Sequence, residues 1–442
     1  MQSSKPKNPI LFYSAIAAFF IINLTVFYPG VMTYDSRLQL GEAISGNFTD
    51  QHPPIMAMLW RMLLIFDSGS APMLVFHLLL FWGAIAIFGA SIMEKHPRFV
   101  WLFPLLWLIP PVMGMTGVIW KDTGLATSWL MLSAILTFYT FKRITPPPAA
   151  ITAMVFLFFY GLSVRHNAVL GAFPLVVWAV CLFTKQRILV KSALLLAGFY
   201  VASAGLTAAI SSPSFITQQL YLGDIGYISW REHTVQYPPY ITENKDFSED
   251  KLYQRYQSDE QVRFLPIEDG FYTYDEANIA ILKSYWLAAI ERSPWLYLQG
   301  RWARFNGIMR IGYDAPFSPY SLQKDRLEGD TLFTHIANSS FSATSAYLLA
   351  LRDSLFNMPY LWALLAAGLL LREAHRWHKR SLGEASVPVA GLCFSCLCYL
   401  GGYFFIAVGG NDLRLVYWSI LAAAVALVLT LTEWVGTEPK YV

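Results

Sequence analysis

Asp35 is the first residue of this chain whose type and position suit chemistry. It follows a long apolar segment, near 10–29, and lies in a stretch too rich in Gly, Asp and Asn for a simple hairpin. A carboxylate just outside an apolar segment can accept a proton from a hydroxyl group, which is general-base work. The alternative is a structural role, in which Asp35 caps a helix that begins at Ser36.

Three further side chains in the same stretch could assist Asp35. Glu42 and Asp50 are reserve candidates for the base, although Glu42 could equally lie on a solvated helix face. His52 precedes two prolines that predict a rigid turn, and its imidazole could orient a carboxylate or bind a phosphate oxygen. A metal beside Asp35 and His52 would need further ligands, and no second histidine stands at ligand spacing. We therefore expect no metal and no other cofactor.

Lys121 and Asp122 are neighbours at the point where two apolar segments, 99–119 and 123–141, meet. A lysine there suits a phosphate or pyrophosphate group, with the Asp122 carboxylate holding the ammonium in place. The alternative is that Asp122 or Thr123 caps the next helix while Lys121 extends its charge to the membrane interface. Both interpretations stay open at this point.

Two arginines mark the ends of later apolar segments. Arg165 stands two residues before Asn167 in the connection between two such segments, and Arg414 ends the run Gly-Gly-Asn-Asp-Leu-Arg at 409–414. The planar guanidinium matches phosphate oxygens, and the glycines permit a close approach. Asp412 could merely cap the following helix. These side chains are therefore candidates for a phosphate site.

The composition identifies the elements that must position these residues. Of the 442 residues, 55% are hydrophobic and 14% are charged, whereas soluble domains have about 25% charged residues. Segments of about 17 to 25 apolar residues are long enough to span a bilayer. We predict an all-α polytopic membrane protein with about ten transmembrane helices. They lie near 10–29, 71–92, 99–119, 123–141, 150–164, 167–184, 189–211, 355–371, 386–408 and 414–432.

The distribution of charge divides the chain into three parts. Residues 212–354 hold 18 of the 29 acids but only 13 of the 32 bases. This predicts a polar, mainly helical domain between a bundle of seven spans (1–211) and a bundle of three spans (355–442). Outside the polar domain, 14 of the 19 bases fall at the termini and in alternate connections. The positive-inside rule places those bases in the cytoplasm, so the polar domain and the first loop, 30–70, face outward.

Helices outside the predicted spans also bear on the site. The apolar run 55–66 is short and is broken by Arg61, so we expect an interfacial helix there. If that run spanned the membrane, Asp35 and Lys121 would lie on opposite faces. In the polar domain, Arg301 and Arg304 share a helix face at i and i+3. Together with Arg310 and neighbouring aromatic residues, they predict a basic helix that could lie along the membrane.

The order of these motifs along the chain is itself informative. An early Asp follows the first span, and then come His-Pro-Pro at 52–54, a Lys-Asp pair, an Arg-x-Asn and a late Asn-Asp-x-Arg at 411–414. This order resembles the GT-C superfamily of membrane glycosyltransferases. It is most similar to bacterial members related to protein mannosyltransferases, the aminoarabinose transferase of lipid A and the serotype-converting glucosyltransferases of O-antigen. The resemblance covers the whole architecture.

The resemblance implies a reaction and a place for it. A sugar would move from a polyprenyl-phosphate donor, with inversion, to a hydroxyl of a glycan or lipid acceptor at the periplasmic face of a bacterial inner membrane. The partners would be that donor, that acceptor and the lipid bilayer, with no nucleic acid. Asp35 would be the catalytic base, and the donor phosphate would be held by Lys121, Arg165 and Arg414. Supporting roles would fall to His52, Asp122, Glu42, Asn167 and Asp412.

Several alternatives stay open. Many relatives carry two adjacent acids in the first loop, whereas Ser36 follows Asp35 here, so a partner acid could be Glu42, Asp50 or Asp122. A transporter or flippase of lipid-linked sugars would also use outward basic groups, although transporters usually show internal repeats. An O-antigen ligase or polymerase would share the donor chemistry.

Overall fold

The computed structural model describes residues 9–256, 271–312, 319–324, 326–407 and 412–436. Helices account for 74% of these residues. Two short strands among them, β1 (Phe48–Thr49) and β2 (Ser211–Ser212), pair in parallel and tie the first loop to the start of the polar domain. The prediction of an all-α chain is confirmed.

Within residues 9–211, which are described throughout, ten α-helices follow one another. They are α1 (Pro9–Phe27), α2 (Tyr34–Ser45), α3 (Ile55–Leu63), α4 (Ala71–Ile92), α5 (Leu102–Leu105), α6 (Pro110–Thr116), α7 (Lys121–Lys142), α8 (Pro148–Ser163), α9 (Val169–Phe183) and α10 (Ile188–Ile210). Short 3₁₀ turns flank α5 on both sides, at Phe99–Trp101 and Leu106–Leu108.

The described part of the remaining chain contains nine more helices. Those of the polar domain are α11 (Gln218–Glu232), α12 (Pro239–Thr242), α13 (Glu249–Arg255), α14 (Glu276–Arg292), α15 (Pro294–Met309) and α16 (Leu332–Ala350). Those that follow it are α17 (Pro359–His378), α18 (Ser386–Ile406) and α19 (Tyr417–Gly436), with 3₁₀ turns at Leu355–Asn357 and Leu413–Val416.

The described residues include six helices that are long and apolar enough to cross a membrane: α1, α4, α7, α10, α18 and α19 with the turn before it. A seventh span would consist of Phe99–Leu108 and Pro110–Thr116, which are bent by 68°. Pro110 and Pro111 explain the bend, because proline lacks an N–H and clashes with the preceding turn. α8 and α9 are apolar but shorter. The chain is a multi-pass membrane protein, but the expected count of about ten spans is not confirmed.

The centre of the bundle lies between α7, α18 and α19. Trp129 of α7 is fully buried, and its ring lies 6.1 Å from Tyr399 of α18 and 5.4 Å from Trp418 of α19. On its other side α7 packs along α4, which in turn contacts α1. This packing brings the first residues of α7 beside those that precede α19, so that Lys121 and Arg414 can share a site.

The polar domain contributes to two separate cores. Leu222, Ile228 and Leu282 lie in a small core of their own between α11, α13, α14 and α15. Tyr320 and Leu348, from the same domain, are buried in the core of the membrane bundle. α16 packs along α1. The end of the polar domain therefore lies against the bundle and stays close to the predicted site.

The expectation for the basic helix was wrong in one respect. Arg301 and Arg304 of α15 do share a face, but that face points inward and their side chains are 1% exposed. Both guanidinium groups bind the carboxylate of Asp224 on α11. Burying a charge is costly unless it is paired, and the Asp224 carboxylate supplies the pairing. Arg310 is also buried, so none of these three cations is available to a membrane surface.

The first loop folds as a helical hairpin of α2 and α3. α2 ends at Gly46, whose φ of 79° suits glycine. Arg61 of α3 donates from Nη1 to the carbonyl oxygens of Ala43 (2.8 Å) and Ile44 (3.0 Å) at the end of α2. Arg61 therefore has a structural role at a helix C-terminus, where a cation is favoured. α3, at nine residues, is too short to span.

Candidate functional site

Asp35 lies in the first turn of α2, but it does not cap that helix. The residue at the N-cap position is Thr33, and its N–H donates to the Ser36 hydroxyl at 3.3 Å. The Asp35 side chain instead points to Arg414, whose Nη1 donates to Asp35 Oδ2 at 2.5 Å. These two residues are 379 positions apart. The capping alternative for Asp35 is therefore wrong.

Arg414 is held in place by two further contacts. Its Nε donates to Asp412 Oδ2 at 3.1 Å, and its guanidinium lies 5.1 Å from the centre of the Trp120 ring. Asp412 thus binds Arg414 and makes no cap hydrogen bond. The predicted motif also includes Gly409, Gly410 and Asn411, which lie outside the described residues.

His52 lies between Lys121 and Asp35. The Lys121 ammonium is 2.6 Å from His52 Nδ1, and His52 Nε2 is 4.0 Å from Asp35 Oδ1. An ammonium group can only donate, so the charged lysine makes Nδ1 the acceptor and leaves the ring proton on Nε2. The neutral imidazole thus presents an N–H towards the carboxylate. At 4.0 Å this contact is longer than a hydrogen bond, so a role of His52 in orienting Asp35 stays a prediction.

Arg165 forms a second ion pair beside this cluster. Its Nη1 donates to Asp122 Oδ1, and its Nε donates to Asn167 Oδ1 at 3.1 Å. Its guanidinium lies 6.0 Å from the centre of the Tyr403 ring. Asp122 was expected to hold the Lys121 ammonium, and that pairing was wrong. Asp122 lies in the first turn of α7, and its carboxylate pairs with Arg165 from the connection between α8 and α9.

The charges of the cluster set the protonation states of Asp35 and His52. Burial acts to raise the pKa of Asp35, but the charges of Arg414 and, to a smaller extent, Lys121 outweigh it and hold this pKa below its ordinary value. Burial and the charge of Lys121 lower the pKa of His52 to about 3, although Asp35 opposes them. At neutral pH the site therefore contains an Asp35 carboxylate and a neutral His52.

The reserve acids of the first loop have other partners. Glu42 Oε1 accepts from the Thr49 N–H at 3.0 Å and from the Thr49 hydroxyl at 2.6 Å, and burial raises the pKa of Glu42. Asp50 Oδ1 accepts from the backbone N–H and the hydroxyl of Ser214. Both acids therefore stabilise the first loop, and neither forms an ion pair with Arg414.

Two cavities adjoin the Asp35–Arg414 ion pair. One, of about 460 Å³, is lined by Trp120, Asp412 and Arg414 together with residues 319–323. The other, of about 280 Å³, is lined by residues 32–34, which precede Asp35, and by Arg37 and Lys324. Ser321 and Gln323 line both cavities. The larger volume is within the range of small-molecule sites.

Several buried polar atoms of the cluster make no hydrogen bond to the protein. They are His52 Nε2, Asp122 Oδ2 and Asn167 Nδ2. Buried polar atoms usually have a hydrogen-bond partner, so these three atoms are positions where a polar ligand could form hydrogen bonds. Among the described residues there is no group of three His, Cys, Asp or Glu side chains that could hold a metal ion.

The structure brings most of the predicted residues together and adds two aromatic rings. Asp35, His52, Lys121 and Arg414 form one cluster, and Arg165, Asp122 and Asn167 form the neighbouring one. Glu42 binds Thr49 and lies close enough to Lys121 for their charges to interact. Sequence reasoning missed Trp120 and Tyr403, which lie against Arg414 and Arg165. Trp120 could have been noticed because it precedes Lys121, whereas nothing near Tyr403 in the sequence distinguishes it from other aromatic residues of the spans.

Comparison of this chain with protein-family models, curated proteins and solved structures found no match.

Proposed function

We propose that this protein is an inverting glycosyltransferase of the GT-C type. It moves a sugar from a polyprenyl-phosphate donor to a hydroxyl of a cell-envelope acceptor, either O-antigen, another glycan or a lipid. The active site faces the periplasm of a bacterial inner membrane. The observation that carries the proposal is the meeting of Asp35, His52, Lys121 and Arg414, which come from four separate segments of the chain. A carboxylate base surrounded by phosphate-binding cations is what this reaction needs.

The proposed reaction is a single displacement. The acceptor oxygen attacks the anomeric carbon, while the bond from that carbon to the phosphate oxygen breaks and its electron pair stays on the phosphate. The acceptor proton passes to Asp35. Arg414 and Lys121 stabilise the charge that develops on the leaving phosphate, which is electrostatic stabilisation of an anion. Attack opposite the leaving group inverts the anomeric carbon.

The ion pair of Asp35 and Arg414 implies that the donor binds before the acceptor hydroxyl is deprotonated. An ion-paired carboxylate with a lowered pKa is a weak base, and a base works best when its pKa lies near the operating pH. The donor phosphodiester carries one negative charge, as a carboxylate does, but the departing phosphate gains a second, so Arg414 binds it more strongly as the sugar leaves. When Arg414 turns to the phosphate, Asp35 loses its main stabilising charge and its pKa rises. Donor binding thus activates the base, and an acceptor is deprotonated only when the donor is present.

The asparagine variant of Asp35 tests the proposal. The donor and acceptor are first identified by mass spectrometry of surface glycans and lipids from cells with and without the gene. Purified protein is then assayed for turnover. Asp35→Asn keeps the shape of the side chain but cannot accept the proton, so we expect turnover to fall by about 10²–10⁴. Asp67→Asn, at an exposed position of the same loop, is the matched control and retains activity.

Three outcomes would count against this mechanism. Normal turnover of Asp35→Asn with an inactive Glu42→Gln would move the base to Glu42. Normal turnover in every acid variant of the first loop would leave the reaction without a base. If the protein moves lipid-linked sugars across a bilayer and forms no new glycosidic bond, it is a transporter.

A further inference from the structure

An apolar groove lies on the bundle at the other end from the candidate site. Its volume is about 840 Å³, and it is bounded by α9, α17 and α18, with Leu189 at the start of α10. Its lining includes Trp178, Phe394 and Trp377, and Trp377 is 74% exposed. The groove therefore opens on the outer surface of helices that belong to the membrane bundle.

The groove has the length of one leaflet of a bilayer. On α18 its lining runs from Ser386 to Cys398, which is about 18 Å at 1.5 Å per residue. The hydrocarbon core of a bilayer is about 30 Å thick, so the groove covers little more than half of it. Gly391 shapes the floor, because a Cβ there would lie 2.8 Å from the Trp178 ring.

One end of the groove is surrounded by exposed cations. This end is lined by Leu189, Trp377 and Leu382. Four exposed basic residues lie within four positions of these lining residues in the chain. We call these the basic rim: Lys185, Arg187, Lys379 and Arg380. Lys185 Nζ donates to the carbonyl oxygen of Cys181, a lining residue, at 3.4 Å.

The acids near this end are already neutralised. Glu373, which lines the groove, forms ion pairs with Arg372 and Arg376. Glu384 pairs with Lys95 at 2.6 Å. The basic rim therefore keeps its positive charge.

We propose that the groove binds one anionic diacyl phospholipid, with its acyl chains along α9, α17 and α18 and its phosphate at the basic rim. The charge complementarity selects an acidic headgroup, and the length of the groove selects a lipid of a single leaflet. This site is distinct from the one with Arg165 and Arg414, which precede α9 and α19 and lie at the opposite end of the bundle. It does not depend on the proposed glycosyltransferase activity.

Native mass spectrometry of the purified full chain tests the proposal. Phosphatidylglycerol, phosphatidylcholine and undecaprenyl phosphate are added in separate samples. We expect phosphatidylglycerol to be retained in preference to phosphatidylcholine. One base near an anionic lipid surface is worth about a fivefold change in affinity, so Lys379→Gln lowers the preference by about that factor. Arg98→Gln removes an exposed charge from a connection that does not border the groove and leaves the preference unchanged.

A steric variant provides the second arm. Ala390 lines the groove, so Ala390→Phe fills it and abolishes retention of phosphatidylglycerol. Ala202→Phe, on the exposed face of α10, is the control and retains the lipid. The proposal is overturned by equal retention of the two phospholipids on the wild-type protein, by unaltered retention in Ala390→Phe, or by a retention of undecaprenyl phosphate that Ala390→Phe abolishes. Undecaprenyl phosphate that Ala390→Phe still retains is bound at the Arg414 site instead.

Discussion

Arg414 contacts two carboxylates and an aromatic ring, and each contact limits its motion in a different direction. Asp35 binds Nη1, Asp412 binds Nε, and the Trp120 ring lies against the guanidinium plane. A lysine could donate to both carboxylates only from one nitrogen, whereas the planar guanidinium presents Nη1 and Nε as separate donors in a fixed geometry. At the scale of single residues, the proposed mechanism requires Arg414 to exchange Asp35 for the donor phosphate while Asp412 and Trp120 hold the rest of its side chain.

The glutamine variant of Arg414 tests its effect on the proposed base. The charge of Arg414 lowers the pKa of Asp35, so Arg414→Gln raises this pKa. Because the deprotonated carboxylate is the active form, the acid limb of the pH profile of kcat/KM moves to higher pH. KM for the donor also rises, by roughly 10- to 100-fold, as expected for the loss of a charge-assisted hydrogen bond of about 1.5–3 kcal/mol. The measurement is turnover against pH at several donor concentrations.

Arg414→Lys separates the charge of the residue from its shape. It keeps the positive charge, so the acid limb stays close to that of the wild-type protein, while KM for the donor still rises because the fork is lost. Arg352→Gln, at an exposed surface pair with Asp353, is the control and changes neither quantity. An acid limb that does not move in Arg414→Gln would show that Arg414 does not act on the base.

At the scale of the elements, α15 connects the polar domain to the end of α18. Arg301 Nη1 donates to the carbonyl oxygens of Phe405 (3.2 Å) and Ala407 (2.9 Å), where α18 ends. Asp412 and Arg414 follow shortly after in the chain. Asp224 of α11 holds both Arg301 and Arg304, and it also accepts from Trp286 Nε1 at 2.8 Å. One carboxylate thus organises the contact between the small outer core and a span.

Asp224→Asn is expected to destabilise the protein strongly. Removal of one partner from a buried ion pair typically costs about 3–5 kcal/mol, because the other charge stays buried without compensation. Here two guanidinium groups would lose their carboxylate. Asp246→Asn, at an exposed position of the same domain, is the matched control. Thermal unfolding in detergent measures both, and an unchanged midpoint for Asp224→Asn would mean that the arginines find other partners.

At the scale of the whole molecule, the predicted topology follows from the distribution of bases. The Asp35 cluster and the polar domain fall on one side of the bundle, and the loop that follows α17 falls on the other. Cysteine labelling with a membrane-impermeant reagent applied from outside tests this arrangement. We expect a cysteine at Asp246 to react and a cysteine at Lys379 to be protected, since both positions are exposed in the folded protein.

The native cysteines provide the background for this labelling. Cys393 and Cys396 are buried and Cys181 and Cys398 are partly buried in apolar helices, so the unmodified chain should label weakly. Reaction at Lys379 and protection at Asp246 would reverse the topology, and a periplasmic active site could then no longer be proposed.

The sequence alone determined the helices and the identity of most of the charged residues that meet. Long apolar segments must satisfy their backbone hydrogen bonds internally in lipid, so they form helices. A charge next to an apolar segment costs free energy, so a charged residue kept there often has a function. For this reason the sequence could single out Asp35, Lys121, Arg165 and Arg414. The number of spans could not be determined from length alone. α8 and α9 are short, a bend divides the segment 99–119, and α17, at the expected span 355–371, is not among the helices long and apolar enough to cross a membrane.

Only the tertiary structure decided which charges are paired. Asp35 meets Arg414 across 379 positions, Asp122 takes Arg165 rather than its neighbour Lys121, and Arg301 turns inward to Asp224. Periodicity places a side chain on a helix face, but the packing of α7 against α9, α18 and α19 determines what that face meets. An ion pair depends on distances of a few ångströms between separate elements, and such distances arise only when the core packs.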